Sequence, residues 1–126
     1  ETTIVKTAGG KSWKITKTST NGIAKHSIGK VAVASGGTVT IKIWMYRGNT
    51  GTTVYGNLII PKDSTVGISS DVVANNTTSA ANTWTEISAT FQPTSAGIVD
   101  VQVETATDSS TTSGSVYFDD MTVEQS

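Results

Sequence analysis

Hydrophobic and polar residues alternate through most of the chain, most clearly from Thr38 to Arg47. There Val39, Ile41, Ile43 and Met45 share one side, and Thr40, Lys42, Trp44 and Tyr46 share the other. Successive side chains of a strand point to opposite faces, so the aliphatic side is the core side and Trp44 and Tyr46 face outward. The same period predicts strands over Ser12–Thr16, with Trp13 and Ile15 together, and over Thr52–Ile60, which Pro61 closes because it has no amide to donate. Trp84–Phe91 places Ile87, Ala89 and Phe91 on one face, and Ile98–Glu104 sets Val99, Val101 and Val103 against Asp100, Gln102 and Glu104. Thr2–Lys6 is a further short candidate. Ile23–Val33 has uneven apolar spacing and reads as one irregular strand, or two short ones around Gly29. Lys62–Asn82 reads as loop with short strands inside it, and Thr105–Ser113 as a hydroxyl-rich loop. In the last strand, Gly114–Val123, the alternation puts Tyr117, Asp119, Met121 and Val123 on the core side, with Val116, Phe118, Asp120 and Thr122 outside.

Gly-rich turns separate these runs. Arg47–Gly51 reads as a hairpin connection, which sets Tyr55 across from Trp44 and Tyr46. With about eight to ten strands at regular spacing and no helical period, the pattern is that of a single-domain, all-β antiparallel sandwich occupying residues 1–126.

Composition narrows the role. A chain of 126 residues buries roughly two-thirds of its unfolded surface on folding, enough for a core without staples. It has no cysteine, which removes disulfides, thiolate metal sites and a cysteine nucleophile. Nine basic and ten acidic residues leave a net charge of −1 without a basic cluster, against a nucleic-acid partner. The 23 threonines and 15 serines supply a hydroxyl-bearing, β-branched surface in place of a charged one. No apolar run reaches the roughly 18–20 residues of a membrane span, so membrane insertion is not expected. The opening ETTIVKTAGG has neither Met nor a leader pattern, and reads as the start of a segment cut from something longer.

Catalytic chemistry finds few reagents. His26 is the single histidine, and the serines of GISSDVV lack the glycine frame of a nucleophile elbow. No phosphate loop or zinc spacing occurs, so the expectation is a protein that binds and does not turn over. Asn75-Asn76-Thr77-Thr78 contains two overlapping N-x-T acceptor patterns.

The succession GGKSWKI, VAVASGGTVTIKIWMYR, NTWTEISATFQPTSAGIVDVQV and GSVYFDDMTV resembles the galactose-binding-like jelly rolls among carbohydrate-binding modules. It is also similar to sandwich domains of that kind in structural proteins of tailed phages. The resemblance implies jelly-roll topology, an extracellular or virion-surface setting, and core-filling roles for Trp13 and Trp84. It further implies one structural Ca2+, held by Asp119 and by a backbone carbonyl of Gly10 or Lys11. Calcium takes six to eight oxygens. The other reading of Asp119 is a carboxylate that accepts backbone amides or pairs with a lysine such as Lys11, since a buried charge must be satisfied in some way.

The outward aromatics are the second candidate site. Trp44, Tyr46 and Tyr55, with Arg47, Gln102 and His26 as polar neighbours, would suit the apolar face of a sugar ring. The alternative is that these rings are covered, by Lys62–Asn82 or by an adjacent subunit. Two roles follow: a structural, decorating or adhesive domain of a surface assembly, packed against neighbouring subunits, or a carbohydrate-binding module that meets a glycan through an aromatic-lined sheet face.

Overall fold

The structure, a computed structural model, describes residues 6, 10–17, 24–48, 54–77, 80–107 and 114–126. Among the described residues eight strands are formed: β1 (Trp13–Lys17), β2 (Ala24–Val33), β3 (Val39–Arg47), β4 (Val54–Ile60), β5 (Val72–Asn75), β6 (Trp84–Phe91), β7 (Gly97–Thr107) and β8 (Gly114–Gln125). They build two four-stranded sheets, ordered β1-β8-β3-β6 and β2-β7-β4-β5, with every pairing antiparallel. This order is the eight-stranded jelly roll. The expected strand Thr2–Lys6 lies outside the described residues except for Lys6, which is a bend, and most of the expected loop beyond Thr107 lies outside them too.

The core comes from the alternation. Val39, Ile41, Ile43 and Met45 of β3 have no exposure, nor do Val101 and Val103 of β7, and Ala89 and Phe91 of β6 are buried against them. From β4, Val54, Leu58 and Ile60 meet this layer across the sandwich. Gly56 stands among them because a Cβ there would come within 3.0 Å of the Met45, Phe118 and Val116 side chains.

Two expectations about placement change, and a choice left open in β2 is decided. β3 and β4 do not form a hairpin: β8 and β6 already occupy both sides of β3, so the chain crosses and β4 pairs with β7 and β5. In β8 the face assignment reverses ahead of Asp120, since Val116 and Phe118 are fully buried in the core and Tyr117 and Asp119 lie on the outer face. The reason is a β-bulge: Trp44 faces Asp119 and Lys42 faces Thr122, so Asp120 and Met121 together oppose Ile43, and Asp120 takes a φ of 49°. One extra residue flips the phase, and Met121 returns to the core side. Likewise β2 is one strand, with a bulge between Ser27 and Gly29 that accounts for its uneven spacing.

Candidate functional site

On the outer face of the first sheet, register aligns Trp44 with Asp119 and Glu86, and Tyr46 with Tyr117 and Trp84. The rings pack on one another. Tyr46 lies 5.4 Å from Trp84 at a 51° tilt and 5.9 Å from Tyr117 edge to face, and its hydroxyl donates to Asn82 Oδ1 at 3.4 Å. The Lys6 ammonium lies 4.2 Å from the centroid of the Trp44 ring, a cation–π contact, while the Lys6 amide donates to Asp119 Oδ2 at 3.0 Å. Lys6 thus lies over the partly exposed Trp44 ring, and among the described residues of Lys62–Asn82 the last has a hydrogen bond to these rings.

The other candidate residues are dispersed. Tyr55 and Gln102 sit on the outer face of the second sheet, away from Trp44 and Tyr46, because β4 and β7 belong to that sheet. Gln102 there donates to Asp100, as does Ser27, and Lys30 lies 3.8 Å from the same carboxylate. Burial by itself would raise the Asp100 pKa, but the Ser27 and Gln102 hydrogen bonds and the Lys30 charge outweigh it and hold the carboxyl below its ordinary value. Arg47 is 95% removed from solvent, since it continues the inward side of β3 after Met45. It does not contribute to an outer face. Of the two N-x-T asparagines, Asn75 is exposed and Asn76 is buried, with its Oδ1 accepting the Gly56 amide at 2.7 Å.

For calcium, Asp119 is the expected ligand, beside Lys11 and Gly10. Both Asp119 oxygens already accept amides, Oδ2 from Lys6 and Oδ1 from Asp120 at 2.8 Å. Among the described residues no group of three or more His, Cys, Asp or Glu side chains comes together. Calcium takes six to eight oxygens, backbone carbonyls among them, and residues 7–9, next to Gly10, lie outside the described residues.

A cleft that the alternation does not reveal lies at one edge of the sandwich, where β1 and β2 are the outermost described strands of their sheets. Trp13 pairs with the buried Phe118 and His26 with the buried Val103, so both share the inward phase of their strands. Yet both are exposed, Trp13 to 49%. Two inward-phased side chains open to solvent mark a mouth between the sheets. It is a cleft of about 380 Å³ lined by Trp13, Lys14, Ile15, His26, Ser27 and Ile28. Phe118 fills the layer that Trp13 would otherwise enter, which is why Trp13 does not fill the core. Trp84 does not fill it either, lying against Tyr46 on the outer face. The sheets are tied near the cleft where the buried Thr105 hydroxyl donates to the Ile15 carbonyl at 2.8 Å. Elsewhere along this edge, Met121 approaches Gly29. A sequence signal existed: Trp13 stands on a five-residue strand holding two lysines, which cannot seal a sandwich edge.

Fold and site together define a jelly-roll domain with a ligand-sized cleft at its edge. No protein-family model matches the chain, and no curated protein matches it. Among solved structures, it is similar to the Clostridium thermocellum N-terminal endo-1,4-β-D-xylanase 10B, CBM22-1–GH10 modules complexed with xylohexaose. The identity is 18%, over 91% of this chain and 24% of that one, with a TM-score of 0.49. The chain thus spans about a quarter of the length of that structure's chain.

Proposed function

We propose that this domain is a non-catalytic carbohydrate-binding module, working outside the cell on a polysaccharide, and that the sugar meets it at Trp13. The observation that carries this reading is a half-exposed indole opening on a cleft of about 380 Å³. That volume lies within the roughly 300–1,000 Å³ typical of small-ligand sites. A pyranose presents an apolar C–H face and a rim of hydroxyls. An indole covers the first, and the His26 imidazole offers a donor and an acceptor for the second. The alternative, a decorating domain packed against subunits, draws on the Trp44 and Tyr46 face, where the chain's own Lys6 lies over Trp44.

The test is tryptophan-fluorescence titration with soluble β-glucans, xylans and mannans. Saturable quenching that disappears in Trp13→Ala and persists in Trp44→Ala is the expected result. Loss in Trp44→Ala alone would move the site to the sheet face, and silence across the panel from a folded domain would remove the glycan reading.

A further inference from the structure

The overlapping acceptor patterns Asn75-Asn76-Thr77 and Asn76-Thr77-Thr78 are equivalent in sequence, and the fold sets their asparagines in opposite surroundings. β5 is the outermost described strand of the second sheet. Its Val72 and Ala74 pack against the core, so Val73 and Asn75 fall on the outer face, and both are exposed. Asn75 Oδ1 accepts the Thr77 amide at 3.3 Å and the Thr77 hydroxyl at 2.9 Å, a turn that closes the first pattern on itself at the surface. Its Nδ2, the atom an oligosaccharide would join, belongs to a side chain already in water.

Asn76 is only 1% exposed. Its backbone amide donates to the Gly56 carbonyl at 3.2 Å, its Oδ1 accepts the Gly56 amide at 2.7 Å, and its Nδ2 is buried. A sugar on that nitrogen would push the side chain out of the sandwich and leave the Gly56 amide buried without its acceptor, which is costly. An N-linked glycan is bulky and belongs on a surface, and of the two positions Asn75 alone offers one.

We infer that Asn75 is the acceptor of an N-linked oligosaccharide in a eukaryotic secretory route, that Asn76 is not, and that the first sugars cover Val73. The donor is an oligosaccharide carried on a lipid diphosphate. A bond forms between Asn75 Nδ2 and the anomeric carbon, the bond from that carbon to the diphosphate oxygen breaks, the lipid diphosphate leaves, and a proton from Nδ2 passes to a base of the transferring enzyme. Transfer takes place on the extended chain, so both asparagines meet the enzyme and the fold decides which product persists.

Val73 is 51% exposed and precedes Asn75 by two residues on the same face, about 7 Å along the strand. The sequence of β5, VVAN, has no charge to solvate it. Hydroxyl-bearing sugars on Asn75 supply that solvation. β5 also lies at the opposite side of its sheet from β2, so the modification leaves the cleft at Trp13 open.

The test secretes the chain from a yeast or mammalian host as wild type, Asn75→Gln, Thr77→Ala and Thr78→Ala. Thr77→Ala removes only the first pattern and Thr78→Ala only the second, and both keep the buried Asn76. Folded, secreted protein is treated with a peptide N-glycosidase and the modified position is read by peptide mass. Wild type and Thr78→Ala are expected to carry one oligosaccharide, on Asn75, and the secreted fractions of Asn75→Gln and Thr77→Ala none. Enzymatic removal from wild type should lengthen retention on a hydrophobic-interaction column, and Val73→Thr should remove most of that increase. An unmodified wild type, or folded protein modified at Asn76, would overturn the site. Retention unchanged by enzymatic removal, or an increase that Val73→Thr leaves intact, would overturn the cover over Val73.

Discussion

The outer face of the first sheet and the mouth between β1 and β2 both carry tryptophan, in opposite circumstances. On the face, Tyr46 touches Trp84 and Tyr117, and Lys6 lies over Trp44. At the mouth, Trp13 has the inward strand phase and is still half-exposed. The outward rings are partly covered and the inward ring is half-exposed, the reverse of what the pleat alone would give. What decides availability is the size and reach of the neighbours. Register places large rings opposite Tyr46 on both sides, whereas Trp13 lies beyond a layer that Phe118 has already filled.

The strongest way to break this contrast is to delete a ring from each region. Tyr46→Ala removes two ring pairs worth about 0.5–1.5 kcal/mol each beyond area burial, so urea unfolding should show a loss of about 2–3 kcal/mol. Trp13→Ala should lose about 1 kcal/mol or less, because much of its surface is already in water. Equal losses would mean that the two regions do not differ as described.

Asp119→Ala sharpens the contrast further. It takes the acceptor from the Lys6 and Asp120 amides, and a partly exposed charge-assisted pair of this kind should cost about 1–2 kcal/mol. With Lys6 released, Trp44 emission should shift to the red, and the loss should be the same in calcium and in chelator. A loss confined to calcium-containing buffer would return Asp119 to a metal role.

The smallest effect belongs to the second sheet's polar face, a control for both regions. The Asp100 carboxyl is held below its ordinary pKa, so its contribution is complete above the unfolded value, near about 3.9, and is lost as the pH falls through the folded value. Asp100→Asn should flatten that acid limb of the melting temperature and leave Trp13 and Trp44 fluorescence unchanged. An unaltered acid limb would show that the Ser27, Gln102 and Lys30 contacts are not maintained in solution.

Much of the fold was legible because β3, β6 and β7 are interior or long strands with strict alternation, and period alone gives their faces. Arg47 falls on the odd side of β3 by the same rule, and its expected place beside the outward rings went against that rule. The bulges were not. A strand such as GSVYFDDMTV reads as one unbroken alternation until the partner register shows two residues opposite one, and every face before the extra residue is then inverted. The pairing of Trp44 and Tyr46 with Tyr55 failed for a topological reason, because loop length near Gly48 does not say whether the chain returns along the same sheet. The edge cleft was hidden for a third reason: periodicity reports which way a side chain points, and says nothing of whether the opposing layer reaches far enough to cover it.

The open side of the sandwich has one more consequence. Among the described residues β1 and β2 are edge strands, and an edge strand's free row of backbone donors and acceptors is the template on which another chain can add a strand. Lys14 and Lys17 on β1, Lys25 and Lys30 on β2, and the kink between Ser27 and Gly29 make that addition unfavourable. These features act against edge-to-edge aggregation, and replacing those lysines with threonine should lower solubility before it changes the melt.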